Sequence, residues 1–267
     1  MSFYQGVFNR LPVWLKRRIF PLDYGVRSFI ASLEPSAKDR VLDAGAGEVR
    51  FADAFGSCRY ITLDSAVGDE GWDYSRIDLL GRLEAIPLAA ECVDFVINTQ
   101  VLEHVRSPEA VLEEIGRVLR PGGVLALTAP QGWHEHQQPN DFFRFTRFSL
   151  QMLLERAGFS DIEISPIGGY FHYLGHRLTF IPKILFQGNR TWIRVLLFPL
   201  EFVSLAVFCF ALPLVCFYLD RLDLDQEFTL CYRCRAVKRF VPKRGVGCVP
   251  VRKSRALGTL QSKCRML

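Results

Sequence analysis

No acidic residue follows Glu227, no run of seven apolar residues opens the chain, and no regular spacing orders its eight cysteines. Each absence removes a class of protein. The first residues, MSFYQGVFNRLPVWLKRRIF, carry charge inside their apolar positions and do not read as a secretory signal. Cys58, Cys92, Cys209, Cys216, Cys231, Cys234, Cys248 and Cys264 lack the spacing of a disulfide framework, so reduced thiols in a cytosolic setting are expected. Cys231 and Cys234 make one C-x-x-C, but in the strand-like run FTLCYRCRAV residues three apart point to opposite faces. No second ligand pair accompanies them, and no metal site is expected. Also missing is an Asn/Asp-Pro-Pro-Tyr/Phe motif for a base turned out of a duplex, which disfavours nucleic acid as a partner.

Charge and apolarity are instead concentrated. The whole chain is +5, while Arg233, Arg235, Lys238, Arg239, Lys243, Arg244, Arg252, Lys253, Arg255, Lys263 and Arg265 stand unopposed after Glu227 and total +11, so residues 1–227 carry −6. Such a tail suits an anionic lipid or nucleic-acid surface, or is a solvated end. Its 49% hydrophobic content gives the chain ample material for one α/β domain with an appendage. That appendage is VLLFPLEFVSLAVFCFALPLVCFYL, from Val195 to Leu219, where Glu201 is the one charge and 18 uncharged residues follow it. About 20 apolar residues suffice for a helix to span a bilayer. A single crossing conflicts, however, with both ends returning to one sheet, and Pro199 and Pro213 are expected to break the helix. We expect a helical hairpin lying in a membrane interface, the basic tail adding about 1 kcal/mol per well-placed Lys or Arg. A buried helical lid or a dimer contact is the alternative.

The most informative stretch is Val41 to Gly47, VLDAGAG, followed by ITLD from Ile61 to Asp64. A short strand runs into Asp43, two glycines make a tight turn, and Phe51 to Phe55 opens a helical pattern; such a strand, turn and helix start brings backbone N–H groups close to a polar ligand. A second strand, Tyr60 to Leu63, ends on Asp64, about 20 residues after the turn, where a carboxylate accepts hydrogen bonds from ribose hydroxyls. A dinucleotide fingerprint would carry glycine at the sixth position, where this chain has Arg50, and Asp43 would face a pyrophosphate. A cofactor with a positive centre and no phosphate suits Asp43 better.

Here the chain resembles the class I S-adenosylmethionine-dependent methyltransferases, in particular the type 11 group that includes quinone-biosynthesis enzymes. The resemblance continues in order and spacing through GRLEAIPL (Gly81 to Leu88), VDFVI (Val93 to Ile97), QVLEHV (Gln100 to Val105) and RVLRPGG (Arg117 to Gly123), and covers about residues 37–165. It implies an α/β fold: a Rossmann-like, mostly parallel sheet with an antiparallel edge strand, helices on both faces, and here an apolar helical insertion. It implies S-adenosylmethionine as cofactor, held by Asp43, Ala44, Gly45, Ala46, Gly47, Asp64 and Ser65, with Thr99, Gln100 and His104 toward the methionine part. Two positions depart from the pattern. Val49 stands where a third glycine is usual, which predicts a less open backbone there. Arg82 stands where an acid is common, which moves the adenine contact to Leu83, Asp78 or Glu84.

The expected strands are Val41 to Asp43, Tyr60 to Asp64, a weak Ser75 to Asp78, Val93 to Thr99, Val124 to Thr128, Ile162 to Pro166 and a final Phe228 to Val237. Helices are expected over Phe51 to Phe55, Pro108 to Leu119 and Ser149 to Ala157, with two more around Trp14 to Phe20 and Tyr24 to Leu33. Strands alternating with helices require a parallel sheet covered on both faces. The organisation is therefore an N-terminal helical cap (1–35), a cofactor-binding core (36–170), the apolar insertion (171–225), a last core strand (226–240) and a basic tail expected to be disordered (241–267).

Methyl transfer from a sulfonium is an in-line displacement, for which positioning supplies much of the rate and a base is needed only when the acceptor must lose a proton. The segment PQGWHEHQQPNDFFRFT, Pro130 to Thr146, leaves the carboxyl end of a strand, where open α/β sheets bind ligands. His134 or His136 is the candidate base. Trp133, Glu135, Asp141, Arg144 and Tyr170 are candidates to hold the acceptor, and Phe142, Phe143 and Phe145 to wall it. The reading is a methyltransferase for a small or lipid-linked acceptor, cytoplasmic, at the inner face of a membrane. The alternatives are an NAD-type oxidoreductase on a related sheet and a non-catalytic membrane-associated protein that kept the fold.

Overall fold

The computed structural model describes residues 12–19, 21–69, 71–187 and 191–240, with side chains outside Lys16, Ile19 and 191–196. The basic tail beyond residue 240 and the first part of the N-terminal cap lie outside the described residues. Seven strands form one sheet in the order β3-β2-β1-β4-β5-β7-β6. They are β1 Arg40–Ala44, β2 Arg59–Asp64, β3 Leu79–Leu80, β4 Val93–Thr99, β5 Leu119–Pro130, β6 Phe159–Pro166 and β7 Cys231–Lys238. The first five run parallel, with Asp43 beside Thr62 on one side and Ile97 on the other. β7 is antiparallel to both β5 and β6. The antiparallel strand thus stands at that end of the sheet, one place in from the rim, which is β6 itself. Where the weak strand Ser75 to Asp78 was expected, the chain turns, and the pairing falls on Leu79–Leu80 instead. Asp78 explains the shift: its carboxylate accepts from the Thr62 amide at 2.9 Å and the Thr62 hydroxyl at 3.0 Å, tying the segment to β2 by side chain. The helix expected at Phe51 to Phe55 is a single tight turn, Ala52–Phe55.

Alternation along the strands divides the core. Leu42 and Ala44 of β1 and Leu125 and Leu127 of β5 pack on one face under α3 (Pro108–Val118) and α4 (Arg147–Arg156). Val41, Ile97 and Ala126 pack on the other under α2 (Pro21–Ala31), which follows α1 (Val13–Ile19). Cys234 belongs to the first face and Cys231 to the second, as period-two geometry requires.

Between β6 and β7 the chain leaves the sheet as α5 (Tyr170–Leu178) and α6 (Ile181–Phe186) and returns as α7 (Thr191–Leu205), a wider π turn (Ala206–Ala211) and α8 (Leu212–Leu219). The two prolines do not break this return limb. Pro199 lies inside α7, and ahead of Pro213 the Leu212 amide reaches back five residues to the Val207 carbonyl, so the ring is accommodated by the wider turn. The result is one helix over Leu197–Leu222, long and apolar enough to cross a membrane. The hairpin expected within Val195 to Leu219 is therefore not formed, and that stretch is instead the continuous limb α7–α8. α5 lies close on α8, since a Cβ on Gly175 would meet the Cβ of Cys216 at 3.0 Å. Asp220, just past α8, accepts from the amides of Gly169 and His172 at 3.0 and 2.9 Å, and Asp223 from that of Tyr170 at 2.6 Å. The far end of the long helix therefore caps the N-terminus of α5, and His172 pairs with Asp220 at the same point.

Candidate active site

The strand order reverses between β1 and β4, and at their carboxyl ends opens a cleft of about 720 Å³, where open α/β sheets bind ligands. Its floor is the glycine turn. Gly45 sits at φ +90°, and a Cβ there would meet Val101 Cγ2 at 2.5 Å; Gly47 sits at φ +51° against the Trp72 ring. Both positions therefore need glycine for conformation and for room. The turn's amides are not free for a ligand, as the sequence suggested they would be. Those of Gly45 and Ala46 donate to the Leu63 carbonyl at 2.8 and 3.1 Å, and that of Gly47 to Asp64 Oδ2 at 2.9 Å. The cradle is consequently fastened to β2, and it offers close approach rather than N–H donors.

Asp64 lines the cleft at the end of β2, and its other oxygen takes the Ala66 amide at 2.8 Å. Ser65, Leu83, Glu84, Thr99, Gln100, His104, Trp133, His136 and Phe142 line it as well. Asp43 and Ala44 do not reach its surface. Asp43 is fully buried and accepts from the Tyr60 hydroxyl, and the Ala44 carbonyl takes the Asn98 amide at 2.7 Å. Burial pushes the Asp43 carboxyl up to about 7, with the Tyr60 bond opposing and the Asp64 charge adding. Asp78 is committed to Thr62, which leaves Leu83 and Glu84 for an adenine edge. Arg82 turns to the mouth of the cleft and pairs with Glu84 at 3.0 Å. Val49 is buried at φ +56° and lies outside the lining, so the residue standing for the third glycine does not narrow the cleft.

The acceptor segment is rearranged relative to expectation. His136 enters the cleft, whereas His134 is packed between Trp133 and Phe180 at ring separations of 5.4 and 4.9 Å, and burial lowers its pKa. Asp141 and Arg144 face one another at 2.6 and 2.7 Å, and Arg144 also donates to the carbonyls of Trp133, His134 and Phe143. The Arg144 guanidinium holds Asp141 down at about 2. This pair staples the loop and has no capacity left for an acceptor. Glu135 is exposed and bonded to Gln138, Tyr170 packs against Phe228 outside the cleft, and Phe145 belongs to the core, leaving Phe142 as the wall.

Other lining residues escaped the sequence reading. Trp72 and Tyr74 come from the loop just ahead of Ser75 to Asp78; two aromatics among Gly, Asp and Ser were the available signal. Pro21, Leu22, Asp23, Val26 and Arg27 of α2 close one side, and His176 of α5, stacked on Trp133 at 4.4 Å, closes another. Glu103 sits inside QVLEHV beneath His104, fully buried, with neither carboxyl oxygen bonded to another residue. Burial raises its pKa to about 8.

Comparison with known proteins agrees with this architecture. Residues 42–127 match the family described as "Methyltransferase domain". A "Probable S-adenosylmethionine-dependent methyltransferase" of Mycolicibacterium smegmatis is 35% identical over 147 residues, 51% of this chain and 56% of that protein. A malonyl-[acyl-carrier protein] O-methyltransferase of Methylococcus capsulatus is 34% identical over 149 residues, 47% of this chain and 53% of that protein. An S-adenosylmethionine-dependent methyltransferase from Thermotoga maritima superposes with a TM-score of 0.52 at 17% identity, over 89% of this chain and 96% of that one, a likeness of fold. The strand order and the matched segment define a methyltransferase domain of class I architecture. The chain is similar to S-adenosylmethionine-dependent methyltransferases, and it spans about half the length of the curated relatives it matches.

Proposed function

We propose that the chain transfers a methyl group from S-adenosylmethionine to a small or lipid-linked acceptor. The observation that carries this reading is Asp64, which both fastens the glycine turn through Gly47 and presents its carboxylate to a cleft running on to His104 and His136. In this reading the cleft floor at Gly45, Ala46 and Gly47 takes the cofactor, Asp64 and Ser65 its ribose, Leu83 and Glu84 its adenine edge, and Thr99, Gln100 and His104 its methionine end. Bound there, the cofactor supplies an electrophilic methyl and a sulfur that leaves neutral. The chain's own part is to hold the acceptor oxygen or nitrogen in line, with Trp133, Phe142 and His176 excluding water and His136 receiving or withdrawing the acceptor proton.

Calorimetry with S-adenosylmethionine, S-adenosylhomocysteine and NAD tests the reading. Both sulfur compounds should bind and NAD should not. Asp64→Ala should weaken them about 10- to 100-fold, since a hydrogen bond to a charged group contributes about 1.5–3 kcal/mol. A wild type that binds neither sulfur compound overturns the reading, and NAD binding in their place favours an oxidoreductase.

The lipid-linked part rests on α5. This helix gives His176 to the acceptor end of the cleft and packs along α8, so the apolar arm is continuous with the acceptor wall. Phe198 and Phe202 on that arm are each 63% exposed. Trp14 and Tyr218 with Arg18 and Arg221 gather at its base, a mixture suited to the headgroup level of a bilayer. The protein would then work from the cytoplasm at the inner face of a membrane.

A further inference from the structure

We propose that Glu103, His104 and His136 form a site for a first-row divalent transition-metal ion at the acceptor end of the cleft. The argument starts from which ring nitrogens carry hydrogen. His104 Nδ1 lies 2.6 Å from the Asn140 carbonyl, which only accepts, so that nitrogen must donate. His136 Nδ1 lies 3.1 Å from the His134 carbonyl and 3.3 Å from Asp141 Oδ2, so it too must donate. In neutral imidazoles each Nε2 then carries a bare lone pair. Those two Nε2 atoms face one another at 3.1 Å. Two acceptors at that separation repel unless a cation lies between them.

The third donor is Glu103. Its carboxylate is fully buried with no partner in another residue, which is costly unless something positive completes it. Oε1 stands 3.8 Å from His104 Nε2, and the three donor atoms lie within 4.8 Å of one another. That spread fits an ion with bonds of about 2.1 Å. The supporting shell is also present. Metal-bound histidines fix their other nitrogen on a carbonyl or carboxylate, as Asn140 does for His104, and His134 with Asp141 for His136. Arg144 in turn holds Asp141. Two imidazoles and one carboxylate suit zinc, manganese, iron or cobalt better than magnesium or calcium, which prefer all-oxygen sets. His104 and His136 border the cleft while Glu103 closes it from behind, so three protein ligands leave open positions toward the acceptor.

The role of the ion rests on the methyltransferase reading, whereas its binding does not. An acceptor hydroxyl held on the ion would release its proton to water more readily. Its oxygen then forms the new O–C bond as the S–C bond breaks, and that bond's electron pair goes to sulfur. The imidazoles would serve as ligands instead of free bases.

The test uses the full chain, purified without a polyhistidine tag or chelator, equilibrated with Zn2+ or Mn2+ and desalted. Elemental analysis should find about one ion per chain, and Co2+ in its place should give visible ligand-field absorption. His136→Ala and Glu103→Gln should each lose the ion while S-adenosylhomocysteine binding persists. His136 lies in a surface loop, so its variant decides the matter should Glu103→Gln fail to fold. A wild type without bound ion, or a His136→Ala variant that keeps it, overturns the site; a proton shared between the two rings would then explain their approach. Ion binding without S-adenosylhomocysteine binding would sink the methyltransferase reading and leave this one standing.

Discussion

Asp43 sits in an environment far removed from its chemistry in water. Nothing solvates it; the Tyr60 hydroxyl holds one oxygen and the other has no partner. Because burial raises its carboxyl to about 7 from 3.8, the folded state binds this proton more tightly than the unfolded chain. Its contribution to stability is therefore full below about pH 4 and is lost as the pH climbs to about 7. Asp43→Asn keeps the shape and removes the titration. Urea denaturation at about pH 4.5 and about pH 6.5 should show wild type losing more stability over that interval than the variant. Equal losses would mean that the carboxylate ionises in the fold as it does in water. The same carboxyl couples to the ligand. A cation in the neighbouring cleft favours the ionised form, so S-adenosylmethionine should release part of a proton near pH 7, with S-adenosylhomocysteine releasing less because it lacks the sulfonium charge. Calorimetry in buffers of different ionisation enthalpy reads this directly, and Asp43→Asn should abolish it.

At the scale of elements, the insertion depends on a few contacts at its base. Burial alone would raise Asp220, but His172 and the amides of His172 and Gly169 hold it below the usual carboxylate range. Asp220→Ala removes the cap of α5 and leaves buried donors unpaired. It should destabilise by about 1–3 kcal/mol in denaturant while leaving S-adenosylhomocysteine affinity unchanged, since Asp220 is outside the cleft. A loss of affinity instead would mean that the arm shapes the cofactor end. What the sequence made legible follows from the range of the forces involved. The glycine turn, Asp64 and the strand alternation are set by local backbone geometry and by a period of two, so VLDAGAG and ITLD could be read directly. The long helix could not. Proline in isolation costs about 3 kcal/mol in a helix interior, and only the packing of α5 on α8 together with the π turn keeps α7–α8 continuous. Asp78, Asp141 and Arg144 misled for a related reason. Their residue types fit a binding site, but tertiary partners far less visible in sequence had already claimed them. Glu103 shows the converse, because its motif was plain while its burial beneath two histidines was not.

At the scale of the whole molecule the exposed arm is the dominant surface feature. Much of Leu197–Leu222 is left uncovered, and Phe198, Leu200, Phe202 and Val203 are all exposed. A patch of this kind marks an interaction surface. Lipid is the partner that the rest of the chain supports. The aromatic and arginine residues around Trp14 and Tyr218 sit at the base of the arm, and all eleven charges after Glu227 are positive. Burying two phenylalanines contributes about 1.5–3 kcal/mol each. Phe198→Glu with Phe202→Glu should therefore move the full chain from the floating to the soluble fraction with vesicles containing phosphatidylserine, at unchanged S-adenosylhomocysteine affinity. Salt should weaken flotation of the wild type without abolishing it, because screening touches the tail and leaves the apolar contact. Wild type recovered wholly in the soluble fraction would end the membrane reading. Should sedimentation without lipid also give twice the mass of the chain, with the double variant returning to a single chain, the arm is covered by a second copy instead.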